Sequence, residues 1–194
     1  VVLDNFSYAA NGSNFNGYYE DWRLNIKKVD IRDLEFLENM YHDHEPHITF
    51  HFAAESHVDN SISNGKPFVK TNVEGTFNTL VKFNSDNFIF ASTAAAFDPL
   101  SPYAQSKLLA ESIVKAWGKN YTIFRFFNVA GSNLEFNEIN QSTHLIKIAA
   151  EVAAGKRDSI TINGTDWNTQ DGTCVRDYVH VSDLVESIVQ AVQN

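Results

Sequence analysis

Along this chain short apolar runs alternate with longer segments of helical period, and that alternation restricts the fold more than any other feature. Val1-Val2-Leu3 opens the chain as a strand ending at Asp4, and residues 25–29 form a weaker strand before Asp30. The segments 48–53, 87–91, 121–127 and 160–163 read as further strands, with helices at 33–43, 67–84, 102–117, 143–154 and 182–192 between them. Strands joined by crossover helices pair in parallel, so the expected class is α/β with a doubly wound parallel sheet. Residues 6–24, rich in Asn, Gly and Tyr, read as a surface loop, and the polar stretch 133–172 as a small lobe set into the alternation. At 194 residues the chain amounts to one domain, or one domain with a satellite.

Composition narrows the function. Apolar residues at 43% and charged residues at 20% exclude a disordered or low-complexity chain. No run approaches the roughly 18 apolar residues of a membrane span, and no basic stretch precedes an apolar one at the N-terminus. A net charge of -9 opposes binding to nucleic acid or to anionic membranes. The lone Cys174 forms no internal disulfide, which points to a reducing cytoplasm. His42, His44, His47 and His51 straddle a helix end, a loop and a strand, a spacing that does not converge on a metal, so none is expected. Asn11-Gly12-Ser13, Asn120-Tyr121-Thr122, Asn140-Gln141-Ser142 and Asn163-Gly164-Thr165 match the glycosylation pattern, but without an export signal they are read as chance.

The helix at 102–117 is the best delimited. Ser101 suits its N-cap, Pro102 its first position and Gly118 its C-terminal cap, while Leu109, Ile113 and Trp117 suggest its core stripe. On it Tyr103 and Lys107 stand one turn apart. A neighbouring ammonium favours the phenolate, so Tyr103 is a candidate acid and base, although the same spacing also suits an ordinary amphipathic pair. Ser92 and Thr93 end the strand before it, where hydroxyls of an open parallel sheet meet substrate. Asp4 fits the acid that takes a ribose hydroxyl and repels a 2′-phosphate, or alternatively a simple turn residue.

Taken together, Asp4-Asn5, Val29-Asp30-Ile31-Arg32, His51-Phe52-Ala53-Ala54, Thr71-Asn72-Val73-Glu74-Gly75-Thr76, Ser92-Thr93-Ala94-Ala95, Ser101-Pro102-Tyr103-Ala104-Gln105-Ser106-Lys107, Arg125-Phe126-Phe127-Asn128-Val129-Ala130-Gly131 and the run from Asp171 to Val181 occur in the order seen in extended short-chain dehydrogenases/reductases. The chain resembles the NAD-dependent epimerases and dehydratases among them, and most closely the branch of nucleotide-sugar 4-epimerases acting on UDP-glucose and UDP-galactose. The resemblance implies a Rossmann-like dinucleotide-binding domain from 1–132 and 173–194, with 133–172 as part of a substrate lobe. It implies Tyr103 as catalytic acid and base, Lys107 as its partner and ribose ligand, and Thr93 as the catalytic hydroxyl. NAD would meet Asp4 and Asn5 at the adenosine ribose, Asp30 and Ile31 at the adenine, and Phe52, Ala53, Asn72 and Phe126 along the rest of the cofactor. Asn128, His144, Leu145, Thr161, Asn163 and Arg176 would line the nucleotide-sugar site alongside Thr93 and Tyr103, Arg176 clamping the diphosphate or else pairing with Asp177 or Asp183. The implied assembly is a homodimer through the helices 67–84 and 102–117, on which Phe68, Phe77, Leu80 and Val81 spread beyond one stripe.

The sequence also departs from the pattern it resembles. Family members carry a glycine-rich phosphate loop roughly 20 residues before the ribose-binding acid, whereas three residues precede Asp4. The chain is accordingly read as a fragment or a reduced form, expected to bind NAD weakly and to lack turnover when isolated. The nearest rival is a nucleotide-sugar 4,6-dehydratase, suggested by the run from Ala53 to Asp59. That branch has carboxylates directly after its Ser/Thr, where this chain has Ala94 and Ala95, and alanine transfers no proton. A catalytically silent sugar-nucleotide-binding fragment is the remaining alternative.

Overall fold

The structure, a computed structural model, describes residues 1–118, 120–132 and 144–193. Residues 133–143, the first part of the expected lobe, and with them the Asn140 pattern, lie outside the described residues. The chain forms two compact units, one of Val1–Asn5, Gly17–Phe126 and Gln190–Asn194, the other of Phe6–Asn16 and Phe127–Val189.

In the first unit, strands β1 (Val2–Asp4), β2 (Ile26–Lys28), β3 (Ile48–His51), β4 (Asn87–Thr93) and β5 (Tyr121–Phe126) alternate with α1 (Leu34–His44), α2 (Val58–Ser63), α3 (Lys66–Phe68), α4 (Thr76–Lys82) and α5 (Pro102–Trp117). Every strand pairing is parallel, as the alternation requires. β3, β4 and β5 form one ladder, in which His51 faces Phe90 and Thr93 faces Phe126. β1 and β2 form a second, with Asp4 beside Lys28. β1 and β3 do not pair, and a cavity of about 670 Å³ lined by Val2, Leu3, Ile48, Phe50 and Phe83 lies along them.

β4 is the centre of the three-stranded ladder, and Phe88 to Ser92 are all buried, the near-continuous apolar run of a strand covered on both faces. Phe88 and Phe90 pack with Ala110 and Val114 of α5, while Leu37 and Met40 of α1 pack with Phe83 after α4. α5 starts and stops as its sequence predicts: Ser101 Oγ accepts from the Ala104 N–H at 3.1 Å, and Gly118 donates to Val114 C=O at 2.7 Å. Its inward face is a correction, however. Ala104, Ser106, Lys107, Ala110, Glu111 and Val114 are buried, whereas Leu109 and Trp117 are 52% and 60% exposed. Small residues let α5 approach β4, and Trp117 instead meets Phe77 of α4 edge-on at 5.7 Å.

The helix expected at 67–84 is one helical stretch with a break in its geometry, since Val69–Gly75 between α3 and α4 is a π-helical turn. Such wider turns cluster at functional sites. Gly75 is required there, because a Cβ would collide with the Ile31 side chain.

The second unit pairs two short strands, β6 (Asn128–Ala130) and β7 (Tyr178–His180), in parallel, and includes α6 (Leu145–Ala153) and most of α7 (Val181–Gln193). Gly131 has a φ of 86°, and a Cβ on it would meet the His180 imidazole. Residues 160–163 are irregular rather than a strand: Ile160 and Ile162 are 40% and 65% exposed, with no ladder to bury them. Among the described residues no helix is long and apolar enough to cross a membrane.

Candidate functional site

Three sequence-predicted residues meet at the carboxyl end of β4. Thr93 ends that strand and caps the 3-10 turn Ala94–Phe97, its Oγ1 accepting from the Ala95 N–H at 3.2 Å. The Thr93 side chain lies beside the Tyr103 phenol and favours its charged form. Tyr103 sits in the first turn of α5, its ring edge-on to buried Phe68. Lys107, one turn on, is 3% exposed with Nζ 4.2 Å from the centre of the Phe90 ring. That contact is a desolvated cation–π pair, a geometry worth about 2 kcal/mol to the charged form.

The electrostatics differ from the simple expectation. Burial raises the Tyr103 phenol above its ordinary value, and neighbouring Thr93 opposes the shift. Burial pushes Lys107 down to about 7, against a counter-pull from Glu111. The lysine is therefore poised between ammonium and amine at neutral pH. In the chain by itself burial favours the neutral phenol, because loss of water disfavours both charged forms at once.

Asn72, expected near the cofactor, is tied into the protein. It is fully buried at the π-helical turn, its Nδ2 donating to Glu55 C=O and Ser106 Oγ at 2.9 Å each, and its Oδ1 accepting from Glu55 N–H at 2.8 Å. Ser106 in turn donates to Tyr103 C=O at 2.7 Å. One amide thus ties the loop after β3 to the first turn of α5. His51, at the end of β3, is buried between the Phe88 and Phe90 rings and shares a 3.0 Å hydrogen bond with Thr76 Oγ1. Since Thr76 already donates to Asn72 C=O, His51 Nε2 carries the proton.

At the ends of β1 and β2, Asn5 hydrogen-bonds Asp30, and Arg32 grips the same carboxylate through Nε at 2.8 Å and Nη2 at 2.5 Å. Those bonds hold Asp30 down at about 2. Ile31 is buried against the notch left by Gly75. Asp4 ends β1 beside them. After β3, Phe52 is 49% exposed and meets Phe126 at the end of β5 edge-on at 6.3 Å, while Ala53 is half-buried beside it.

In the second unit Asn128 Nδ2 donates to Asp177 C=O at 2.8 Å, next to exposed Arg176. His144 precedes α6 without capping it through its side chain, and Leu145 is exposed at its first turn. Thr161 and Asn163 lie on the exposed irregular segment.

Sequence reasoning missed Ser106, His51, Glu111 and Arg125. Glu111 was visible as an acid one turn beyond Lys107 on the Tyr103–Lys107 line, and Ser106 as the residue between them.

The sequence matches the NAD dependent epimerase/dehydratase family over residues 1–194. It is 35% identical to UDP-glucose 4-epimerase of Rhizobium meliloti (strain 1021), covering 99% of this chain and 64% of that protein. The crystal structure of UDP-glucose 4-epimerase from Brucella ovis in complex with NAD is similar with a TM-score of 0.85 and 30% identity, over 99% of this chain and 64% of that one. The dTDP-glucose 4,6-dehydratase DesIV from Streptomyces venezuelae, with NAD and TYD bound, is similar with a TM-score of 0.80 and 28% identity, over 100% of this chain and 62% of that one. The chain spans about 64% of the length of the curated relatives it matches. With a matching family over its whole length, a parallel α/β fold and a Thr-Tyr-Lys cluster at a strand end, the chain belongs to the NAD dependent epimerase/dehydratase family.

Proposed function

We propose that these residues serve a nucleotide-sugar 4-epimerase of the UDP-glucose/UDP-galactose type working with NAD. The observation that carries this reading is the placement of Thr93 at the end of β4 beside Tyr103 in the first turn of α5, with buried Lys107 one turn on. NAD, when bound, supplies a site that takes up and returns a hydride. Tyr103, as the phenolate, would accept the proton of the C4 hydroxyl as that carbon gives up its hydride, and as the phenol would return it when the 4-keto sugar is reduced on its other face. Thr93 stands beside the phenol oxygen, and the Lys107 ammonium favours the phenolate that acts as the base. The residues present fit a dinucleotide: Asp4 and the Asn5–Asp30 pair offer acceptors at the strand ends where riboses dock, and exposed Phe52 offers an apolar face beside them.

The 4,6-dehydratase alternative is disfavoured because the 3-10 turn after Thr93 is Ala94, Ala95, Ala96 and Phe97, with no carboxylate to expel a C6 hydroxyl. On the same reading, residues 133–172 belong to a substrate lobe, and Asn128, His144, Leu145, Thr161, Asn163 and Arg176 face a UDP-sugar. Support for a homodimer comes from Phe77, Val81, Leu109 and Trp117, all exposed on α4 and α5. A reducing cytoplasm suits exposed, unpaired Cys174.

The test is Tyr103→Phe. It removes one oxygen from a partly buried ring and leaves the Phe68 contact, so folding persists. In the whole protein carrying this chain, turnover of UDP-galactose is expected to fall by roughly 100- to 10,000-fold, the usual worth of a positioned acid-base. Near-normal turnover in that variant rejects the assignment.

A further inference from the structure

The Tyr103–Lys107 line continues one turn further to Glu111, an acid that the proposed chemistry does not itself use. Glu111 is 1% exposed, which is rare for a carboxylate unless it is paired. Its pairing is complete. Ser92 of β4 donates to Oε1 at 2.6 Å. Arg125 of β5 donates through Nε to Oε1 at 2.8 Å and through Nη2 to Oε2 at 2.7 Å, a fork that fixes direction as well as distance. Lys115 reaches Oε2 at 3.4 Å from the next turn. Arg125 is itself held from the other side by the Phe97 ring, 4.4 Å away.

Each partner lies next to a residue of the site. Ser92 precedes Thr93, Arg125 precedes Phe126, and Glu111 follows Lys107 by four positions on one helix face. Fixing the carboxylate therefore fixes the axial position of α5 against the ends of β4 and β5, which sets where Tyr103 stands relative to Thr93.

We propose that Glu111 is the positioning residue of the Tyr103–Lys107 pair: tied to Ser92 and Arg125, it locks α5 onto β4 and β5 and holds a carboxylate one turn along the helix from the Lys107 amine, on the line that serves the phenolate. The proposal deepens the epimerase reading and rests on it for the role of Lys107. The groups that bear on Lys107 electrostatically are Glu111 from its own helix, which favours the ammonium, and His51 from β3, which burial holds neutral. Tyr103 lies one turn before it, and β4 contributes only the Phe90 ring. Without the carboxylate, the one charge that opposes burial at Lys107 is gone, and the balance shifts toward the neutral amine.

The test is an NMR titration of the chain labelled at the lysine ε-carbons, with neither cofactor nor sugar nucleotide, the Lys107 signal being identified by its loss in Lys107→Met. In the parent chain Lys107 is expected to titrate at about 7. Glu111→Gln keeps the shape and removes the charge, so Lys107 is expected to titrate about one pH unit lower, the usual effect of losing one nearby opposite charge. Glu111→Asp, which restores the charge, is expected to bring it back toward the parent value. A folded Glu111→Gln chain with an unchanged Lys107 midpoint overturns the proposal, as does Glu111→Asp titrating like Glu111→Gln. Should Glu111→Gln fail to fold, the double variant Glu111→Gln, Arg125→Gln, which leaves no guanidinium unpaired, carries the same expectation. Failure of that variant to fold also overturns the proposal, because Glu111 would then act only in the fold. The readout needs no turnover, so it stands or falls separately from the epimerase reading.

Discussion

Lys107 and His51 are basic side chains buried within one helix and one strand of each other, and both are pushed toward neutrality by the removal of water. His51 is held at about 3, against 6.5 for an exposed imidazole. Below pH 6.5 the unfolded chain takes up this proton and the folded chain does not, so stability falls as pH drops from 6.5 toward 3. Glu111, held at about 2 by its ion pair, adds stability that is full above its ordinary value of 4.5 and is lost as pH falls from there toward 2. Between 6.5 and 4.5 the loss therefore belongs to His51 among these groups. His51→Phe can keep the stack between Phe88 and Phe90 while removing the titration, and thermal melts of that variant are expected to show a flatter pH dependence in this window. An unchanged slope would place the sensitivity elsewhere. Little of this was legible in the sequence. His51 read as one member of a histidine run, and a residue's solvent exposure comes from the packing around it rather than from its own neighbours in the chain.

At the scale of elements, capping and period predicted position well and facing less well. Ser101, Pro102 and Gly118 bounded α5 to the residue, because capping is local chemistry. The stripe Leu109, Ile113 and Trp117 followed the largest apolar side chains, whereas the helix turns Ala104, Ala110 and Val114 inward with Lys107 and Glu111 among them. Close approach to β4 needs small residues, and two paired charges are tolerated where the partner strands supply Ser92, Arg125 and the Phe90 ring. The segment 160–163 alternates like a strand but has no ladder to join. The π-helical turn was illegible for a related reason, since its purpose is to seat the Asn72 side chain against a loop and a helix far away in sequence. Asn72→Ala would remove the partners of the part-buried Glu55 N–H and C=O. A loss of about 3 kcal/mol in denaturant unfolding is expected, at roughly 1–3 kcal/mol for each unsatisfied group. A loss below about 0.5 kcal/mol, the range of ordinary surface changes, would mean that the amide is not the clamp described.

At the scale of the whole molecule, the order of motifs identified the family from the sequence alone, because catalytic and turn residues sit at strand ends in a fixed succession that packing cannot shuffle. What the succession could not supply was the pairing of ladders, which is a matter of which edges meet: β1–β2 and β3–β4–β5 are separate, with a cavity along β1 and β3. The Thr93–Tyr103–Lys107 cluster lies within one compact unit, so its geometry stands independently of the second. The central claim is that this cluster oxidises and re-reduces a sugar at one carbon without net redox change. The protein carrying this chain, given NAD and UDP-galactose deuterated at C4, tests it through the product. The account predicts UDP-glucose with the deuterium still at C4, since the hydride returns to the carbon it left. No inversion at C4, loss of the label to solvent, or a 4-keto-6-deoxy product would contradict it.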